Sequence, residues 1–333
     1  MRVDGVCVAL RFAPVAVLMA VHCHDGRWPA DWECVERARR HCFCTRMVSA
    51  HPATVITHVF FHISGEHLAA NAAMLAVALA EGGGGGEESS GVRRAEAGGV
   101  VAWLRRMVSG IRDSWSERSR AGALLRAVGA LLVCVVGSAV GGLGAQLLYL
   151  KSAVSVRHAY AEHAWTAAAD AWRGALASDS VGDAVRLLLR SVRSYVEGWR
   201  NSAAASLQAE MNDCIFMCGS SAGVCALAGF NAVCYGRPLC ALYLVLPSMC
   251  CLGVDVIPRG VALLAFHIGA GDVAVALKGR AVPSLWKSAG VELTVGDAAH
   301  VGGFGAGVVM GLGWRWLQLR RRRRRRRRRR GSH

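Results

Sequence analysis

The stretch CIFMCGSSAGVCALAGFNAVCYG, Cys214–Gly236, runs for 23 residues without a charged side chain. A helix needs about 20 mostly apolar residues to cross the hydrocarbon of a bilayer. A run of this length therefore points to a membrane span rather than to a buried core helix. It has company. Ala127–Leu150 and Ala298–Trp314 carry no charge, and Pro52–Ala80 carries Glu66 alone. Backbone polar groups cannot go unpaired in lipid, so such runs should be helices.

Composition agrees. The 333 residues are 53% hydrophobic before 39 glycines are added, above the range of average soluble domains. The formal charge of +16 sits largely in Arg320–Arg330, eleven consecutive arginines, leaving 16 − 11 = +5 for the rest. A basic block can bind nucleic acid. Directly after an apolar span it reads instead as a positive-inside anchor, with docking on anionic lipid headgroups and a tail with no role beyond topology as equal alternatives, and no nucleic-acid partner is expected. The thirteen cysteines are scattered, many within apolar runs, where a free thiol behaves as a small hydrophobe. His22, Cys23, His24, His41, Cys42 and Cys44 are residue types that bind zinc, but their spacing matches no closed zinc module. No metal or cofactor is called for.

Working outward, residues 1–50 hold a first span, Val6–His24, interrupted by Arg11, and an interfacial loop with Trp28 and Trp32. Residues 51–80 hold the second span. Residues 81–120 form an insertion that opens with the glycine linker Gly82–Gly86 and continues as the basic, amphipathic Val101–Arg120. Residues 121–150 are the third span. Residues 151–213 are an alanine-rich insertion with interspersed charge, read as one or two extramembrane helices. Residues 214–318 hold spans four to six: Cys214–Gly236, Leu239–Val254 with Val261–Gly271 as a broken or re-entrant continuation, and Ala298–Trp314. Residues 319–333 are the arginine tail. The expected fold is an all-α polytopic membrane protein, a six-helix bundle with extramembrane insertions. Six spans place both termini on one side. Spans two, four and six then run the same way and begin in the same leaflet.

Polar groups cluster at those three beginnings. Span two contains His62-Ile63-Ser64-Gly65-Glu66-His67-Leu68-Ala69-Ala70-Asn71. Span four contains Gly219-Ser220-Ser221-Ala222-Gly223, and span six opens Asp297-Ala298-Ala299-His300-Val301-Gly302-Gly303. Ionisable side chains inside a span are costly and point to function. A serine hydroxyl attacks poorly until a base takes its proton, and neutral His300 suits that task for Ser221. His67 and Asn71, four apart, share a helix face and are placed to donate to an oxyanion together with the backbone N–H of Ser221. Any one of these residues alone reads as a neighbour-to-neighbour hydrogen bond between helices. The three motifs together read as a catalytic constellation. Gly303, Gly307 and Gly311 recur every four residues, the pattern for close helix approach.

These motifs resemble those of the rhomboid family of intramembrane serine proteases. His62-x4-His67-Leu68-x2-Asn71 looks like its second-helix motif, Gly219-Ser220-Ser221 like its Gly-x-Ser, and Ala299-His300-x2-Gly303-x3-Gly307 like its sixth-helix motif, in the family's order. The match covers about 80–90 residues in three patches. The resemblance implies a Ser221–His300 dyad, with His67 and Asn71 at the oxyanion site. It also implies a transmembrane segment of another protein as substrate, entering laterally. This chain departs from the family in four ways. Ala222 stands where Gly usually follows the nucleophile. Cys225 stands where an aromatic often packs on the histidine. The common first-loop Trp-Arg pair is not evident. The interval from Asn71 to Ser221, 221 − 71 = 150 residues, is unusually long. Three other readings stand beside this one. One is a catalytically silent rhomboid-like protein that binds or moves membrane clients. The second is a soluble α/β-hydrolase, whose Gly-x-Ser-x-Gly elbow requires a strand before and a helix after it. The third is a transporter, which would show paired repeats that are absent here. The expected location is an integral, multi-pass position in a membrane. Mitochondrial inner, secretory and plasma membranes stay open.

Overall fold

In the computed structural model the described residues are 5–23, 28–44, 48–81, 120–177, 216–236, 238–281 and 296–330, with 182, 185, 186, 190, 192, 193 and 197. The glycine linker and nearly all of the amphipathic segment expected at 81–120 lie outside them, as does most of 178–213. The chain is mostly helical and divides into two units. One comprises Met1–Gln146, Phe216–Cys250 and Gly296–His333; the other comprises Leu147–Ile215 and Cys251–Val295.

The first unit opens with α1 (Gly5–Arg11) and α2 (Ala13–His22), bent by 60° at Phe12. Pro14 starts α2, because proline lacks an N–H and fits the first helical turn but not a continuing one. The expected single span Val6–His24 is therefore a bent pair. Arg11, the charge that interrupts it, is buried and donates to the carbonyls of Leu79 (2.6 and 3.1 Å) and Ala80 (3.3 Å). Those carbonyls lie in the last described turn of a helix, where a guanidinium complements the helix dipole.

After α3 (Asp31–His41) comes the short strand β1 (Phe43–Cys44), paired antiparallel with β2 (Phe216–Met217) in the register Phe43 opposite Met217. The one-turn α4 (Thr54–Thr57) precedes an irregular stretch, and α5 (Gly65–Glu81) follows. The second span was expected from Pro52. The helix instead begins at Gly65, where Ser64 Oγ accepts the His67 N–H at 3.1 Å as an N-cap. The Gly65 N–H donates to Asp31 at 3.0 Å, which ties the helix start to α3.

α6 (Arg120–Val136) passes through a π-helical segment, Gly137–Gly142, into α7 (Leu143–Ala177). The third span thus continues as helix 27 residues beyond its expected end at Leu150 (177 − 150). α8 (Ser221–Tyr235) ends on Gly236, whose φ of +66° makes the left-handed cap. α9 (Pro238–His267) is one continuous helix of 30 residues, although a break after Val254 was expected. Its prolines are of the kind that membrane helices accommodate. α10 (Gly271–Ala281) follows, and α11 (Asp297–Arg330) carries the helix through the whole arginine block.

α8 is the centre of the first unit, packed against α5, α6, the π segment and α11. Leu68, Leu75, Leu79, Val133, Val224 and Leu227 form its core. Gly303 and Gly307 lie against the carbonyls of Ala222 and Ala226, leaving no room for a side chain at either glycine. The every-fourth glycine pattern is thus the face on which α11 meets α8. In the second unit, Val156, Tyr160, Ala262, Ala265 and Ala274 form a smaller core. There Arg259 donates to the Tyr149 hydroxyl at 2.9 Å and lies over its ring.

Two helices among the described residues are long and apolar enough to cross a membrane, Arg120–Ala175 and Tyr243–His267. The bent pair α1–α2 makes a third if counted as one span. α8 is apolar but has 15 residues, and α11 is diluted by glycine and arginine.

Candidate active site

The chain reaches the site through β2, then turns at Gly219, whose φ of +105° is a left-handed value that a side chain would strain. A Cβ there would also come within 2.7 Å of the His67 ring and 3.6 Å of the Asn71 amide nitrogen. Gly219 is therefore needed for two reasons, and its N–H donates to the His58 carbonyl at 2.9 Å. Ser221 follows as the first residue of α8. Its N–H belongs to the helix-initial groups that have no acceptor within the helix.

His300 sits in the first turn of α11, and its N–H donates to the Gly296 carbonyl at 2.9 Å. The close α8–α11 packing brings its Nε2 to 2.8 Å from Ser221 Oγ. Ser248 Oγ, from α9, lies 2.9 Å from His300 Nδ1. When Nδ1–H donates to Ser248, Nε2 is free to accept the Ser221 proton. This is the tautomer a general base requires.

All four expected residues converge. Ser221 and His300 touch, while His67 and Asn71 flank Gly219 two residues ahead of Ser221. Asn71 is fully buried, and neither its amide nitrogen nor its oxygen has a hydrogen-bond partner among the described residues. Its two N–H donors are thus available for a ligand oxygen.

Behind this front lies a chain of histidines. His62 Nε2 is 3.3 Å from both the N–H and the hydroxyl of Ser220, and the N–H donates to it. His62 Nδ1 is 3.3 Å from His22 Nε2, which also bonds the Phe60 carbonyl at 3.0 Å. His22 Nδ1 reaches Cys34 Sγ at 4.0 Å, and burial, followed by the Asp31 charge, pushes the Cys34 thiol up from its ordinary range. His41 stacks on Phe61 with centroids 4.3 Å apart. Of the residues that suggested a zinc site, His22 and His41 are thus engaged with other partners, and His24 lies outside the described residues. Among the described residues no three His, Cys, Asp or Glu side chains gather to hold a metal ion.

The Ala222 methyl faces a glycine: a Cβ at Gly142 would lie 2.7 Å from it. The bare glycine of the π segment makes the room. Sequence reading gave no role to His62, Ser248 or Gly142. Ser248 carried a usable signal as a polar residue within the fifth apolar run; Gly142 carried none, since glycine is abundant throughout.

Comparison with protein-family models, with curated proteins and with solved structures returned no match to this chain.

Proposed function

We propose that the chain is an intramembrane serine endopeptidase of the rhomboid type, cleaving transmembrane segments of other proteins. The observation that carries this reading is the 2.8 Å approach of His300 Nε2 to Ser221 Oγ, beside two buried, unpaired amide donors on Asn71. In the proposed reaction, Ser221 Oγ attacks the scissile carbonyl carbon while its proton passes to His300 Nε2. The oxyanion takes hydrogen bonds from Asn71, His67 and the Ser221 N–H. Collapse expels the amine, which takes the proton back from His300. A water then repeats the sequence on the acyl-enzyme and regenerates the serine. No metal or cofactor enters these steps.

The proposed membrane bundle counts six spans: the bent pair α1–α2, α5, α6 with α7, α8, α9 and the first part of α11. α8, at 15 residues and about 22 Å, is short for hydrocarbon of about 30 Å. It packs against α5, α6, the π segment and α11, which cover it on several sides. The arginines of α11 dock on anionic headgroups.

The test is cleavage of a model transmembrane substrate by the purified chain in detergent, with Ser221→Ala and His300→Ala in parallel and a fluorophosphonate label on each. Cleavage and labelling by wild type, lost in both variants, support the dyad. Folded wild-type protein that neither cleaves nor labels would sink the protease reading in favour of a silent, client-binding relative.

A further inference from the structure

The short β1–β2 ladder does more than close a loop. Its antiparallel register sets Phe43 opposite Met217 and Cys44 opposite Phe216. Continued one step past the paired residues, the same register sets Cys42 opposite Cys218. Directly opposed residues of an antiparallel pair have Cα atoms about 4.5–5.5 Å apart, inside the range that a disulfide spans without backbone movement. Both cysteines are reduced in this structure.

We propose that Cys42 and Cys218 are an oxidisable pair that forms a reversible disulfide by exchange with a small-molecule disulfide such as oxidised glutathione. The two thiols differ in access. Cys42 is 2% exposed, whereas Cys218 is partly exposed. Cys218 is accordingly the first to react. Its thiolate attacks one sulfur of the glutathione disulfide, forming a mixed disulfide and releasing one glutathione thiolate. Cys42 loses its proton to solvent and attacks the Cys218 sulfur, releasing the second glutathione. Two protein thiols are oxidised and one glutathione disulfide is reduced to two thiols. The Cys218 contact, followed by burial, holds the Cys42 thiol above its usual range, so the second step is the slow one.

The bond would fasten the chain immediately before Gly219 to the end of α3. It would close a loop of 218 − 42 = 176 residues, and long loops give a crosslink its largest effect on the unfolded chain. Formation of the bond follows from the strand register and does not depend on the protease reading, so either can fail alone.

The test uses the full chain in detergent. It is incubated with oxidised glutathione, quenched with N-ethylmaleimide, digested without reduction and read by mass spectrometry. The expected product is a Cys42–Cys218 linked peptide pair, lighter by two hydrogens than the separate peptides and abolished by dithiothreitol. A rise of several degrees in melting temperature should accompany it and reverse on reduction. Cys42→Ser should stop at a glutathione adduct on Cys218, without the melting shift. The Cys218 glutathione adduct formed in Cys42→Ser reports that the oxidant has acted. Recovery of Cys42 and Cys218 as maleimide adducts in the wild-type chain, under conditions where Cys42→Ser takes up glutathione at Cys218, would overturn the proposal, as would linkage of Cys42 to any other cysteine.

Discussion

Ser248 Oγ on α9 stands 2.9 Å from Nδ1 of His300, across the imidazole from Ser221. An imidazole acting as base must keep its Nδ1–H and hold its ring plane, and in many serine hydrolases a carboxylate does both. In the proposed dyad a neutral hydroxyl would fill the place. It orients the ring without adding a charge in an apolar setting, where an unpaired carboxylate would be costly.

Ser248→Ala should therefore lower kcat about fivefold, the worth of one neutral hydrogen bond of about 1 kcal/mol, with KM little changed. Ser248→Thr, which keeps the hydroxyl, should recover most of the rate. Steady-state cleavage of a transmembrane substrate reads both. Equal losses in the two variants would mean that packing, not the hydrogen bond, is what matters at this position.

Asn71 offers a test in which activity and stability part company. Its buried amide has no partner among the described residues, so Asn71→Ala removes a polar group left unsatisfied there. Thermal unfolding should stay level or rise, because such a group imposes a desolvation penalty. Turnover should fall by roughly 100-fold or more, the usual effect of deleting one oxyanion donor. A variant that loses stability along with turnover would assign Asn71 to structure.

The α8–α11 contact predicts opposite outcomes for two glycines two residues apart. Gly303→Ala forces a methyl into the Ala222 carbonyl and should destabilise by about 1–3 kcal/mol or more, since backbone cannot yield as a side chain can. A Cβ at Gly305 meets nothing within 4 Å. Gly305→Ala should therefore be neutral, or stabilising by up to about 1 kcal/mol through helix propensity. Melting of the two variants side by side decides the matter.

A double-mutant cycle tests the compensation at Ala222. Gly142→Ala should destabilise the chain by setting two methyls 2.7 Å apart. Ala222→Gly in the same chain should restore much of the loss, giving a coupling energy on the order of 1 kcal/mol or more. Additive effects would mean that Gly142 is small for some other reason.

Much of the site was legible because its chemistry is expensive. Ser221, His300, His67 and Asn71 are polar groups at the starts of apolar runs, and such groups announce themselves. The glycine repeat beside His300 was readable for a similar reason, as it sits on one helix face. What could not be read depends on partners far away in the chain. Arg11 looked like an interruption because the carbonyls it serves lie 68 and 69 residues on. The start of α5 was misplaced because Ser64 and Asp31, not hydropathy, set it. Helix was expected within 151–213, but that α7 runs unbroken from the third span to Ala177 leaves no mark in a hydropathy pattern that ends at Leu150. The opposition of Cys42 and Cys218 rests on a strand pair of two residues each, too short for any periodicity to reveal.

α11 is a single uninterrupted helix from Asp297 to Arg330. From His300 to Arg320 is twenty residues, about 30 Å of helix, the same length as the hydrocarbon thickness of a typical bilayer. In the membrane reading the helix then works as a ruler. Arginines held at one water boundary would fix the imidazole at the other. The number of residues between them, rather than any contact with substrate, would set the depth at which a peptide bond is cut.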